Sequence, residues 1–89
     1  MTDRPVMLIA GGSGSIGRAI AREALDQGWA VALHGRDPEK LKAIEAELGH
    51  ESAVEAFAQD ISGKDAAATL VADVAERFGR IDAAIDCVA

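Results

Sequence analysis

The chain has 89 residues, 49% hydrophobic and 27% charged, which suits one small globular domain and excludes a disordered or low-complexity chain. Its net charge of −6 and pI near 4.7 oppose binding to nucleic acid or an anionic membrane surface, so neither is expected as a partner. The single cysteine, Cys87, excludes an intrachain disulfide or a cysteine metal cluster, and the N-terminal apolar run is too short for a signal peptide or membrane span, so a cytoplasmic location is expected.

Val6 to Ala10 is a continuous apolar run, the pattern of a strand covered on both faces. It enters Gly11-Gly12-Ser13-Gly14-Ser15-Ile16-Gly17. Ile16, Ala19, Ile20, Ala24 and Leu25 then recur at helical spacing, and Gly28 supplies the stop. Trp29 to His34 is a second apolar run. Asp37 caps the next helix and Pro38 suits its first turn. Leu41, Ile44 and Leu48 form the buried stripe of that helix, and Gly49 ends it. Ser52 to Ala58 alternates apolar and polar residues and reads as a third strand, nearer an edge. Ser62-Gly63-Lys64-Asp65 has the form of a capping box. Leu70, Val71, Val74, Ala75 and Phe78 follow on one helix face, with Gly79 as the C-cap. Ile81 to Val88 is the fourth strand, where Cys87 reads as buried packing.

The order is β-α-β-α-β-α-β, with no linker or repeat. Such alternation predicts an α/β fold: a Rossmann-like half-fold of three layers around a four-stranded parallel sheet. Right-handed crossovers give the strand order 3-2-1-4, with the glycine loop at the switch point between strands one and four.

A strand that enters glycines and then a helix presents bare backbone N–H groups to a phosphate, with the positive end of the helix behind them. Gly12-x-Gly14-x-x-Gly17 matches the dinucleotide fingerprint in the required strand-to-helix context. Four glycines exceed what a tight turn alone requires, which favours phosphate binding over a bare turn. Gly11, Gly14, Ile16 and Gly17 belong to this site, and Ser13 and Ser15 can add hydroxyl donors. The second strand runs into Gly35-Arg36-Asp37. A carboxylate here favours NAD by bonding the ribose hydroxyls, whereas an arginine favours the 2′-phosphate of NADP. Arg36 is the available cation and Asp37 is more economically a helix cap, so NADP(H) is expected over NAD(H); a plain surface arginine is the alternative. Beyond the third strand, Asp60 can accept a bond from the adenine amino group while Ile61 packs on the ring. The plainer reading of Asp60 is a loop aspartate near a helix start. His34 has no visible partner and reads as packed or solvated. No metal-ligand spacing occurs in Glu23 to Asp26 or Glu39 to Glu47.

These residues resemble the short-chain dehydrogenase/reductase family. Ala10-Gly11-Gly12-Ser13-Gly14-Ser15-Ile16-Gly17 is similar to its Thr-Gly-x-x-x-Gly-x-Gly loop, with Ala10 in place of Thr and Ser15 in place of the middle Gly. Gly11-x-x-Gly14-x-x-Gly17 also matches the spacing of the extended branch. Gly35-Arg36-Asp37 resembles the NADP-type end of the second strand, Asp60-Ile61 the adenine-contacting Asp-Val, and Phe78-Gly79-Arg80-Ile81-Asp82 the approach to the fourth strand. Asp86-Cys87-Val88-Ala89 departs from the family's Asn-Asn-Ala-Gly.

The resemblance implies an oxidoreductase that moves hydride between NADP(H) and a carbonyl or alcohol. It also implies catalysis by a serine and a Tyr-x-x-x-Lys pair beyond residue 89. The sequence contains no tyrosine. Residues 1–89 are therefore expected to be an NADP-binding half-domain, truncated before the catalytic segment and inactive alone. The rival reading is a non-catalytic, stand-alone nucleotide-binding or self-associating module. A receiver-type fold is disfavoured, because the first strand ends in Ala10 and glycines rather than acidic residues. The exposed side of the fourth strand predicts a homo-oligomer, or contact with the remainder of a parent chain.

Overall fold

The computed structural model describes residues 3–11, 14–49, 53–60, 63 and 65–87. Seven elements alternate: β1 (Val6–Ala10), α1 (Ser15–Asp26), β2 (Ala30–Gly35), α2 (Pro38–Leu48), β3 (Val54–Ala58), α3 (Ala66–Phe78) and β4 (Ala83–Asp86). The four strands are parallel in the order β3-β2-β1-β4, as the right-handed crossovers predict.

Strand alternation divides the core into two layers. Ile9, Val31 and Leu33 face α1 and α2, where they pack with Ala24, Leu25 and Leu41. Val6, Leu8, Ala30 and Ala32 face the other way, onto Leu70, Val74 and Phe78 of α3. All six residues of β2 are buried, as a central strand covered on both faces requires. Phe57 extends the α3 layer towards the β3 edge, its ring 6.4 Å from that of Phe78.

Several expected details are corrected. Ile16 and Ala19 share the helical spacing of Ala24 and Leu25, but Ile16 is 70% exposed and Ala19 is exposed as well. The face against the sheet is Gly17, Ala21, Ala24 and Leu25. A glycine and small side chains let the helix axis approach the strands closely, and that requirement outweighs the bulk of Ile16. Val71 is 47% exposed, one position off the Leu70-Val74-Phe78 stripe. Asp65 is itself the N-cap of α3 and makes no side-chain cap bond, while Ser62 and Lys64 lie outside the described residues. The β4 strand spans Ala83–Asp86 and starts two residues later than the expected Ile81, Cys87 is half-buried just beyond it, and Val88 lies outside the described residues.

The cap of α2 is as expected. Asp37 accepts from the N–H groups of Glu39 (3.0 Å) and Lys40 (3.3 Å), with Pro38 in the first turn. At the opposite end of the sheet, Asp82 accepts from Val6 N–H at 2.7 Å and from Arg80 at 2.8 Å. The Arg80 hydrogen bond, with help from Val6 N–H, holds the Asp82 carboxyl below the usual carboxylate range.

Candidate functional site

Parallel strands bring their C-terminal ends to one edge of the sheet, and the described residues among those singled out by the sequence follow those ends. After β1 the chain turns at Gly11, whose φ of 70° is the left-handed conformation that glycine adopts without a steric penalty. Gly14 then forms the N-cap of α1, and its carbonyl accepts from Arg18 N–H at 3.0 Å. A Cβ built on Gly14 would meet nothing within 4 Å, so open space lies beside the backbone at the head of the helix. Ser15 opens α1 and is exposed, as is Ile16, while Gly17 is buried beneath them. Gly12, Ser13 and Ile61 lie outside the described residues.

The first turn of α1 carries no acidic residue, so no carboxylate offsets the positive end of this 12-residue helix. Open space and a positive helix end suit a bound phosphate. On this chemistry the described residues at the head of α1 are compatible with the phosphates of a dinucleotide.

The other residues sit at the ends of the neighbouring strands. Arg36 is exposed immediately beyond β2, and its guanidinium enters none of the ion pairs among the described residues. Asp37 beside it is committed to the α2 cap. Asp60 is exposed two residues past the end of β3. The sheet order therefore sets the glycine turn, Arg36 and Asp60 side by side in the order of β1, β2 and β3.

Sequence reasoning missed His34. It is the one buried polar side chain among the described residues, 2% exposed, and it has two partners. Gly11 N–H donates to Nδ1 at 3.0 Å, and Nε2 lies 2.8 Å from the carbonyl oxygen of Gln59. The available signal was a polar residue inside an otherwise apolar run. Among the described residues no group of three or more His, Cys, Asp or Glu could hold a metal ion. No helix there is long and apolar enough to cross a membrane.

A parallel sheet in the order 3-2-1-4, with a glycine turn between β1 and α1 at the switch point, defines a Rossmann-like α/β protein. Residues 5–89 match the short chain dehydrogenase family, and the chain belongs to that family. It is 34% identical over 85 residues to a 3beta-hydroxysteroid dehydrogenase of Mediterraneibacter gnavus, covering 94% of this chain and 31% of that protein. A metagenomic short-chain oxidoreductase solved in complex with NADP shares 38% identity at a TM-score of 0.80, over 90% of this chain and 37% of its own. An NAD+-bound xylitol dehydrogenase shares 30% identity at a TM-score of 0.81, over 90% of this chain and 31% of its own. The chain thus spans about a third of the length of these relatives.

Proposed function

We propose that residues 1–89 form the cofactor-binding half of a short-chain oxidoreductase and hold NADP(H) in preference to NAD(H). The observation that carries the preference is the division of labour between Arg36 and Asp37. In an NAD-type site the carboxylate at the end of β2 bonds the ribose hydroxyls. Here Asp37 Oδ1 accepts from two N–H groups of α2, which holds the side chain at the helix cap, and Arg36 stands without an ion pair among the described residues. A guanidinium offers a fork of donors matched to a phosphate. Relatives of similar identity bind either nicotinamide dinucleotide, so the choice in this chain falls to these two residues.

The chain's own residues bind and orient. The turn from Gly11 to Gly17, with the Ser13 and Ser15 hydroxyls, receives the pyrophosphate, Arg36 the 2′-phosphate, and Asp60 with Ile61 the adenine. When bound, the nicotinamide supplies hydride transfer, and in the parent protein this reduces a carbonyl or oxidises an alcohol. The family resemblance assigns the accompanying proton transfer to a tyrosine, and residues 1–89 contain none. The 89-residue protein is therefore read as a cofactor binder that does not turn over carbonyl substrates by itself, and its setting as the cytoplasm.

Calorimetric titration with NADPH and NADH tests this reading. NADPH is expected to bind more tightly, and Arg36→Ala to weaken NADPH alone by roughly 1.5–3 kcal/mol, the net range for a hydrogen bond to a charged group. Equal affinities in the unsubstituted protein would remove Arg36 from the site.

A further inference from the structure

We propose that His34 is a positioning residue for the cofactor: its neutral imidazole clamps the first glycine of the phosphate turn to the end of β3. The inference rests on the reading of that turn as a dinucleotide site. His34 lies near the end of β2, between β1 and β3. Its two ring nitrogens reach backbone groups on either side, Gly11 N–H at 3.0 Å and the Gln59 carbonyl at 2.8 Å. A backbone N–H can only donate and a carbonyl can only accept. The ring must therefore leave Nδ1 bare and carry its proton on Nε2, so the partners select one neutral tautomer.

Packing alone does not account for a histidine here. Its neighbours in the strand, Ala30, Val31, Ala32 and Leu33, are apolar and buried, and an aliphatic residue would pack there without a polar group to satisfy. What the imidazole adds is a rigid bridge across three strand ends. The bridge continues outward: Gln59 N–H donates to the Gly35 carbonyl at 3.0 Å, and the Gln59 side-chain amide donates to Asp73 of α3 at 2.8 Å. Gly11 opens the phosphate turn and Gln59 immediately precedes Asp60. The clamp thus fixes the spacing between the segments that receive the pyrophosphate and the adenine. A turn ordered before binding loses less entropy when the cofactor arrives.

Three substitutions separate the two halves of the clamp. His34→Asn keeps an acceptor near the Nδ1 position, His34→Gln keeps a donor near Nε2, and His34→Leu keeps neither. Each is measured for NADPH affinity by calorimetry, for hydrogen exchange at the Gly11 amide, and for folding by thermal melting. Nitrogen-15 spectra of the unsubstituted protein report the tautomer, expected as a protonated Nε2 and a bare Nδ1. The expected result is a loss of NADPH affinity of about tenfold in His34→Leu, the scale of one net hydrogen bond. Gly11 exchange should be faster in His34→Leu and His34→Gln. His34→Asn should restore both Gly11 protection and most of the affinity. Should His34→Leu fail to fold, the contrast between Asn and Gln decides. NADPH bound equally by Asn and Gln variants, or by folded His34→Leu and the unsubstituted protein, overturns the positioning role alone. No binding by the unsubstituted protein overturns the cofactor reading beneath it.

Discussion

The two edges of the sheet are finished differently. At β3, the outer edge is tended by side chains. Glu45 of α2 accepts from Ala56 N–H at 2.9 Å, and Arg77 of α3 pairs with Glu55 at 2.6 Å. The Ala56 N–H points away from β2, because the β2-facing groups are those of Ala53 and Gln59. At β4, the alternating residues are half-buried and exposed, and the strand pairs with β1 alone among the described residues. Met7, the β1 neighbour of Ala83, opens onto an apolar groove of about 360 Å³ that Ile20 and Trp29 also line. A finished edge resists pairing with another chain, and an open one invites it. The contrast leads us to propose β4, rather than β3, as the edge open to pairing with another strand, such as that of a second copy. The proposed cofactor residues Arg36 and Asp60 follow β2 and β3, away from that open edge.

The same substitution on each side measures the contrast most strongly. Ile44 of α2 is 3% exposed under β2 and β3, whereas Ile85 of β4 is half-buried. Ile44→Ala is expected to cost about 2–5 kcal/mol in denaturant unfolding, the range for a fully buried aliphatic side chain. Ile85→Ala should cost less than half as much at protein concentrations where the chain is monomeric. Equal costs would show that β4 is as enclosed as the central strands.

Association is the next effect in size. Light scattering over a dilution series should show a dimer or larger species that dissociates as it is diluted. Ala84→Lys places a charge on the exposed face of β4 and should shift the equilibrium to monomer. Ala58→Lys at the end of β3 should leave it unchanged. A monomer at every concentration, with a cooperative melt, would mean that the β4 edge is shielded.

The smallest effect is electrostatic. Arg80 and Val6 N–H lower the Asp82 carboxyl in the folded protein. Because the folded value lies below the unfolded one, the stabilisation is complete above the unfolded value and is lost as pH falls through the folded value. Stability curves of the unsubstituted protein and Asp82→Asn should therefore run parallel near neutrality and converge only in acid. A constant gap down to strongly acid pH would remove Asp82 from the β1–β4 junction.

The element order, the Asp37 cap and the sheet topology were all legible in residue patterns, because local spacing and crossover handedness determine them. The buried face of α1 was not. Apolar periodicity favours Ile16 for its bulk, while the sheet selects Gly17 for its closeness. Nor was the start of β4, since the apolar pattern begins at Ile81 whereas the strand begins at Ala83. The His34 clamp was invisible for a different reason. Its partners are backbone groups 23 and 25 residues away, and a backbone N–H or carbonyl leaves no trace in residue type.

We propose that the ends of β1, β2 and β3 receive one dinucleotide. Following backbone amide resonances while NADPH is titrated into the protein tests it most directly. Saturable shifts are expected in the Gly11 to Gly17 turn, Arg36 and the Gln59–Asp60 segment, with β4 and the C-terminal end of α1 unmoved. Shifts centred on the groove of Met7, Ile20 and Trp29, or none at saturating NADPH in a folded protein, would contradict it.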